Sequence, residues 1–233
     1  MAAEAAVDPD AYDAVVVGSG FGGSVAAFRL AEGGARSVLV LERGRPWPPG
    51  SFPRTPRETA GAFWHPPSGR HGLYEAWSFS GLDAVVASGL GGGSLIYANV
   101  MLRKDEDTFV DDEHEAWPIR YADLERHYEA VERMQGAARY PVAYEPYAST
   151  PKTRAMLDGA VALGLEGELP HLAISFAAGD GPPRPGAPLP GPPNLHGAQR
   201  FTCRLCGECV VGCQYGAKNT LDFTYLSAAL RYV

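Results

Sequence analysis

Residues 14–23 join a short apolar run to a glycine triad, and this segment constrains the fold more than any other part of the sequence. It reads AVVVGSGFGG, with glycines at positions 18, 20 and 23. Gly18 permits a sharp turn after a strand, Gly20 lets the backbone approach a pyrophosphate, and Gly23 lets the following helix pack closely. The positive end of that helix faces the phosphates in such units. The segment therefore predicts a β-α-β unit that binds a dinucleotide.

A second apolar run ends in an acidic residue, as dinucleotide binding requires. Residues 38–41 read VLVL, and Glu42 follows them. In dinucleotide-binding units an acidic residue roughly 20 positions beyond the glycines accepts hydrogen bonds from the ribose hydroxyls. We therefore predict strands over residues 13–17 and 37–41, with a helix over 21–32 between them. The glycine triad alone does not distinguish NAD from FAD.

Charge and hydropathy exclude several classes of protein. The chain has 233 residues and a net charge of −7 at pH 7, so we expect no nucleic-acid partner, because such partners need a basic surface. No apolar stretch approaches the roughly 18 residues that suggest a transmembrane segment. The first residues contain neither the basic nor the apolar region of a signal peptide, so we expect a cytoplasmic protein.

Two amphipathic helices are predicted in the middle of the chain. The first covers residues 121–135, with Asp123 as its cap. The second begins at Thr150 and Pro151, because threonine caps helices and proline fits the first turn. Its predicted buried face consists of Met156, Leu157, Ala160 and Val161.

The last fifty residues begin with a loop and end in a helical pattern. Ten of the thirteen residues from 181 to 193 are proline or glycine, which excludes a helix or an interior strand there. A final helix is predicted with Thr224 as its cap, and its apolar pattern continues to the last residue. Only two strands of a parallel sheet are well supported, although such sheets contain several. We therefore interpret the sequence as the N-terminal part of a longer protein.

All four cysteines lie close together near the end of the chain. Cys203, Cys206, Cys209 and Cys213 follow the spacing CxxCxxCxxxC, which is typical of a bacterial ferredoxin segment. This clustering indicates a ligand set rather than a disulfide framework. Gln214 stands where such segments usually have proline. Three interpretations stay open: a [4Fe–4S] cluster held by all four thiolates, a zinc site on the same residues, or four reduced cysteines.

A second glycine cluster follows a predicted strand over residues 83–88. It reads GLGGGS from Gly89 to Ser94 and continues as LIYANV. Taken alone, such a run is more often a flexible loop than a binding site. The N-terminal fingerprint, the acidic Glu42 and GLGGGSLIYANV together resemble the glucose-methanol-choline family of FAD oxidoreductases, and most closely its cholesterol-oxidase-like branch.

Three further segments carry the same resemblance. They are AWPIRYADL at residues 116–124, KTR at 152–154 with LGL at 163–165, and GAKNTLD at 216–222 with TYL at 224–226. The resemblance implies an α/β chain with a Rossmann-like FAD-binding fold that is incomplete here. It also implies three regions: residues 1–110 with the β-α-β unit and second glycine segment, 111–200 with helices and the Pro/Gly-rich loop, and 201–233 with the cysteines and a returning helix.

The resemblance also implies which residues contact FAD. In the first loop they are Gly18, Ser19, Gly20, Phe21, Gly22 and Gly23, along the pyrophosphate, with Glu42 on the adenosine ribose. In the second segment Gly91, Gly92, Gly93 and Ser94 follow the phosphates and ribityl chain, and Tyr97 and Asn99 lie near the isoalloxazine. No histidine lies between Gly89 and Val100, so non-covalent FAD is expected.

The leading functional hypothesis is an FAD-dependent oxidoreductase that oxidises a CH–OH group, such as that of a secondary alcohol or sterol. Hydride passes to the flavin, and oxygen or an electron-transfer protein accepts the electrons. In this family the catalytic histidine lies beyond residue 233, so no catalytic residue is assigned and this chain alone is expected to be inactive. Each of the six histidines is expected to be a surface or loop residue: His65, His71, His114, His127, His171 and His196.

Three alternatives are retained beside that hypothesis. An NAD-dependent dehydrogenase explains the first glycine loop but gives the second glycine cluster no role. An iron–sulfur and flavin electron-transfer module explains the cysteines. A non-catalytic FAD-binding fragment explains both glycine segments without any reaction.

Overall fold

The computed structural model describes residues 11–109 and 117–232. Its N-terminal unit is β1 (Ala14–Val17), α1 (Phe21–Glu32) and β2 (Val38–Leu41). The two strands pair in parallel, with Ala14 opposite Val38, and α1 forms the crossover between them. The predicted β-α-β unit is therefore confirmed, with boundaries that differ by at most one residue.

Residues 45–73 contain one short helix and one pair of short strands. A short helix, α2 (Pro56–Gly61), begins after Thr55, whose hydroxyl accepts a hydrogen bond from the Glu58 amide. The Glu58 carboxylate in turn accepts from the Thr55 amide, so the two residues form a capping box. The strands β3 (Trp64–His65) and β4 (Arg70–His71) then pair antiparallel.

A β-hairpin carries the chain into the second glycine cluster. It consists of β5 (Tyr74–Phe79) and β6 (Leu82–Ala87), paired antiparallel along their full lengths. The predicted strand over 83–88 corresponds to β6, whereas its partner β5 was not predicted. Tyr74 of β5 belongs to a buried apolar cluster against which Ala87 of β6 packs; its other members are Trp47, Phe52, Ala62, Leu73 and Leu95.

The middle of the chain forms a small antiparallel sheet and two helices. The sheet has the order β7 (Val100–Met101), β9 (His171–Leu172) and β8 (Ala138–Arg139). The helix α3 (Tyr121–Met134) begins after Arg120, whose amide donates to the Asp123 carboxylate at 3.0 Å. Arg120 is thus the N-cap residue, and the predicted cap Asp123 is instead the third residue of the helix, from which it stabilises the helix start. His114 and Ala116, which also figured in the sequence predictions, lie outside the described residues.

The predicted buried face of the second helix is half wrong. In α4 (Pro151–Ala162), Met156 and Val161 are each 76% exposed, while Leu157 and Ala160 are half-buried. Leu157 and Ala160 lie three positions apart and share one stripe of the helix, whereas their immediate neighbours point about 100° away. Only this narrow stripe packs against the rest of the chain.

The C-terminal segment also departs from its prediction. A π-helical turn over Asp222–Leu226 leads into α5 (Ser227–Ala229). Thr224 lies inside this turn, and its hydroxyl donates back to the Thr220 carbonyl at 3.0 Å instead of capping a helix. The turn packs on α1 through a buried cluster of Phe28, Leu221, Tyr225 and Ala228. Residues 181–193 form a loop, as predicted.

No helix in the described part of the chain has the length and apolar character needed to cross a membrane.

The division into regions 1–110, 111–200 and 201–233 stays a prediction.

Candidate functional site

The first glycine loop has one packed side and one open side. A Cβ at Gly23 would lie 1.9 Å from the Gly18 carbonyl oxygen, so only glycine lets α1 approach β1 this closely. A Cβ at Gly20 or Gly22 would meet no atom within 4 Å. No described side chain caps the first amides of α1. These amides and the open glycines therefore form a surface that suits a phosphate group.

The second glycine cluster lies directly against the first. Gly91 and Gly92 have φ values of +106° and +54°, a region that favours glycine. A Cβ at Gly92 would lie 2.7 Å from the Cα atom of Gly20. A Cβ at Gly93 would be 3.9 Å from the Phe21 ring. The structure thus brings together two glycine segments that are separated by about seventy residues of sequence.

Ser19 and Ser94 hold these loops in place from inside. The buried Ser19 hydroxyl donates to Glu42 Oε2 at 2.6 Å and accepts from the Gly91 amide at 2.9 Å. Ser94 is also buried, and its hydroxyl donates to the Gly91 carbonyl at 2.7 Å and accepts from the Leu221 amide at 3.1 Å. Each hydroxyl is buried and donates its only proton within the protein, so these side chains shape the loops and have no proton left to donate to a ligand.

Glu42 connects the end of β2 to the first glycine loop. Its Oε2 also accepts from the Ser19 amide at 2.9 Å, and its Oε1 accepts from the Gly44 amide at 2.9 Å. Burial alone would raise the pKa of this carboxyl, but the hydrogen bonds from Ser19 and from backbone amides outweigh it and lower the pKa below its ordinary value. The carboxylate is therefore ionised at neutral pH and retains acceptor capacity on Oε1 for a hydroxyl group.

Unpartnered polar atoms gather just beyond the second glycine cluster. The Tyr97 hydroxyl and the Asn99 side-chain oxygen are buried and have no hydrogen-bond partner among the described residues. Burial raises the pKa of Tyr97 to about 12, and Asn99 is only 3% exposed with a φ of +64°. Phe21 meets the Tyr97 ring edge-on at 5.5 Å. Such orphaned atoms are costly without a partner, and a bound ligand would supply one.

Lys218 is a buried residue to which the sequence reasoning gave no role. Its side chain is 1% exposed, and Nζ donates to the carbonyls of Leu95 at 3.1 Å, Tyr97 at 2.7 Å and Cys209 at 2.8 Å. Burial lowers the pKa of Lys218 to about 8. The only signal in the sequence was a lysine inside GAKNTLD, a segment that otherwise has just one charged residue.

His196 contacts an acidic residue inside the protein. The side chain of His196 is 5% exposed, and its Nε2 lies 2.6 Å from Oδ2 of Asp222, which is 1% exposed. His196 sits in a loop, as predicted, but the π-helical turn covers its ring, and Phe223 packs edge-on against it. His65, His71 and His127 are exposed, as predicted, whereas His171 is half-buried in the strand β9, so the prediction of a surface or loop residue is wrong for His171. The Asp222 Oδ1 atom has no partner among the described residues and lies beside Gly91.

The cysteine loop, residues 203–213, brings the four thiols to one small cavity. Cys203, Cys206, Cys209 and Cys213 line about 30 Å³ of space. Burial raises the pKa of the Cys203 thiol to about 11, whereas Cys206 is exposed. Within the described ranges, no group of three or more His, Cys, Asp or Glu side chains is arranged to hold a metal ion. The predicted [4Fe–4S] and zinc sites are therefore not supported.

The comparisons with known proteins agree with the glycine loops. A family model described as an NAD(P)-binding Rossmann-like domain matches residues 16–50. The chain is 35% identical over 223 residues to cholesterol oxidases from two strains of Mycobacterium tuberculosis. It is 34% identical over 224 residues to a cholesterol oxidase from Acinetobacter baumannii.

These matches support the resemblance of the chain to the cholesterol-oxidase-like branch of the glucose-methanol-choline family. The alignments cover 95% and 92% of this chain but only 37% and 38% of the Mycobacterium and Acinetobacter relatives. The match to residues 16–50 covers most of the β-α-β unit and continues past β2.

The residues of the two glycine segments and their surroundings fit a dinucleotide of the FAD type. The two glycine segments touch, the α1 amides are open, Glu42 retains acceptor capacity, and Tyr97 and Asn99 present orphaned polar atoms. Ser19 and Ser94 do not fit direct contact through their hydroxyls, because both hydroxyls are already engaged. The contact of each named residue with FAD stays a prediction.

Proposed function

We propose that this chain forms the dinucleotide-binding part of an FAD-dependent oxidoreductase that acts on CH–OH groups. The observation that carries the proposal is the contact between the two glycine segments, in which Gly92 packs on Gly20. One glycine loop is sufficient for any dinucleotide. The second segment extends the open surface from the amides of α1 towards Tyr97 and Asn99. This extended surface suits a cofactor that carries a ring system beyond its phosphates.

Different residues of the site suit different parts of the cofactor. The open amides at Gly20 and Gly22 stabilise the negative charge of the pyrophosphate, while Glu42 accepts a hydrogen bond from a ribose hydroxyl. Tyr97 and Asn99 orient the polar edge of the ring system. When bound, the flavin supplies a hydride acceptor for the alcohol carbon. We assign no residue of this chain as the general base for the alcohol proton.

A sterol is the first substrate to test, and oxygen the first electron acceptor. The relatives are named cholesterol oxidases, and this name supports both choices. In the full-length protein, anaerobic addition of cholesterol should bleach the flavin absorption, and oxygen should restore it. Bleaching by simple secondary alcohols but not by cholesterol would contradict the sterol assignment while leaving the CH–OH class intact.

The cofactor assignment is tested by binding to the purified chain. We expect saturable quenching of flavin fluorescence on titration with FAD, and no binding of NAD⁺ at the same concentrations. Gly20→Val directs a side chain into space that is open in the protein, so it should weaken FAD binding at least tenfold while the fold is kept. Gly61→Val, at an equally open position in α2, is the matched control.

Two outcomes of this titration contradict the proposal. Binding of NAD⁺ in preference to FAD would favour the dehydrogenase alternative. Wild-type FAD affinity in Gly20→Val would show that the open face of the first glycine loop is not where the cofactor binds.

A further inference from the structure

Among the described residues, Lys218 is the one fully buried cation, and the proposed function does not use it. It lies between the flavin segment, which we define as residues 95–99, and the cysteine loop. We propose that Lys218 is a positioning residue that holds the flavin segment against the cysteine loop and places a positive charge beside the bound flavin. The second half of this proposal rests on the proposed function, whereas the first half does not.

The hydrogen bonds define the charge state and the geometry. Leu95, Tyr97 and Cys209 each contribute one carbonyl oxygen, at 3.1, 2.7 and 2.8 Å from Nζ. Three acceptors need three N–H donors, which only the protonated ammonium group supplies. The two carbonyls of the flavin segment are two residues apart and turn towards the same nitrogen. Lys218 therefore determines the backbone path that ends at the left-handed Asn99.

The positive charge of Lys218 is buried, and no described residue forms an ion pair with it. The ammonium group lies 4.9 Å from the centroid of the Tyr97 ring. Among residues 11–109 and 117–232, no carboxylate forms a salt bridge with it, and the nearby Asp222 is engaged with His196. Burying a cation with only carbonyl partners is costly. A methionine would fill the same space without that cost, so packing alone does not account for a lysine here.

The charge and the hydrogen bonds have separate consequences. The hydrogen bonds limit the motion of the cysteine loop, whether or not FAD binds. The charge stabilises negative charge on a flavin held next to Tyr97, because fixed charges near the ring tune its electronics. A merely structural residue would affect the motion of the cysteine loop and leave the stability of the negatively charged flavin unchanged.

Four variants of the purified chain separate these effects. Lys218→Met removes the donors and the charge, Lys218→Gln keeps two donors without charge, and Lys218→Arg keeps the charge. Lys152→Met, at an exposed lysine of α4, is the control. The readouts are the rate at which a disulfide reagent modifies the cysteine-loop thiols and the affinity of the FAD-loaded chain for sulfite, whose flavin adduct is anionic.

We expect thiol modification at least tenfold faster in Lys218→Met than in wild type, with Lys218→Gln intermediate. We expect sulfite affinity at least tenfold weaker in both neutral variants and within threefold of wild type in Lys218→Arg. A folded Lys218→Met with wild-type thiol rates would overturn the positioning role. Wild-type sulfite affinity in that variant would overturn the role of the charge.

The remaining outcomes are also decisive. If the wild-type chain does not bind FAD, the proposed function fails, and the thiol rates still decide the positioning role. If the neutral variants do not fold, a folded Lys218→Arg with wild-type sulfite affinity supports the requirement for a cation. Failure of all three Lys218 variants to fold would overturn the proposal in favour of a packing role.

Discussion

The two glycine segments look alike in sequence but have different structural reasons for their glycines. In the first, Gly23 meets the carbonyl oxygen of Gly18, five residues earlier in the same turn. In the second, Gly92 meets Gly20, and Gly91 lies beside Asp222. The contacts of the first segment are local, whereas those of the second come from two distant parts of the chain.

This difference determines what each glycine pattern can reveal. A glycine that serves a local turn has a characteristic spacing from the strand and helix around it, so the pattern alone predicts its role. A glycine that accommodates a distant backbone has no such spacing. The second segment would be read as a flexible loop on its own, but it is a packed turn over Gly92–Leu95 with Ser94 and Leu95 buried.

The largest effect is expected from adding a methyl group inside the first loop. Gly23→Ala places its Cβ 1.9 Å from a backbone oxygen, which requires strand and helix to separate, so we expect a loss of about 3 kcal/mol or more. Gly22→Ala, one residue earlier in the same helix, meets no atom and should gain up to about 1 kcal/mol. Urea denaturation measures the free energy of unfolding of both variants. Equal stability of the two would show that the helix and the strand do not approach each other closely at Gly23.

The next largest effect tests the contact between the segments. Gly92→Ala combines a positive φ with a Cβ 2.7 Å from Gly20, and we expect a loss of about 2 kcal/mol and at least tenfold weaker FAD binding. Gly93→Ala has its nearest neighbour at 3.9 Å and is the matched control for stability, while Gly61→Val serves as the control for FAD binding. Urea denaturation measures the stability, and the FAD titration measures the affinity. If Gly92→Ala were as stable as Gly93→Ala, the segments would not touch in solution.

A smaller effect is expected at the hydroxyl that links the two segments. Ser19→Ala removes a donor to Glu42 and an acceptor for the Gly91 amide, so we expect a loss of about 1 to 2 kcal/mol. Ser78→Ala, at an exposed site in β5, is the control. The double variant Ser19→Ala/Glu42→Gln, measured by the same urea denaturation, should be less destabilised than the sum of the single variants. Strict additivity would argue against the hydrogen bond.

The smallest effect is a pH dependence at Glu42. Because its folded-state pKa lies below the ordinary value of 4.5, its contribution is fully present above that value and is lost as the pH falls towards the folded pKa. Glu42→Gln should therefore be less stable than wild type at pH 7, by about 1 kcal/mol or less, and the difference should shrink below pH 4.5. Urea midpoints from pH 3 to 7 measure it, and a constant difference across that range would contradict the ionised network.

Much of the fold was predictable where interactions are local. The β-α-β unit, the helices α3 and α4, and the loop over residues 181–193 all follow from periodicity, helix start signals and backbone stiffness. The same local rules failed for the cap of α3, for the buried face of α4 and for Thr224. Periodicity does not tell which stripe of a helix finds a partner, and a hydroxyl can bond backward as readily as it caps forward.

In the candidate site, too, the local features were predictable from the sequence and the long-range contacts were not. The sequence by itself determined the dinucleotide fold, the positions of Gly18, Gly20 and Gly23, and the acidic Glu42, because strand, turn and helix geometry impose their spacing. Only the tertiary structure decided that Lys218 binds three carbonyls, that His196 pairs with Asp222, and that Ser19 faces inward. These groups meet across up to 123 residues of sequence, and their burial depends on how separate segments pack, which no local pattern encodes.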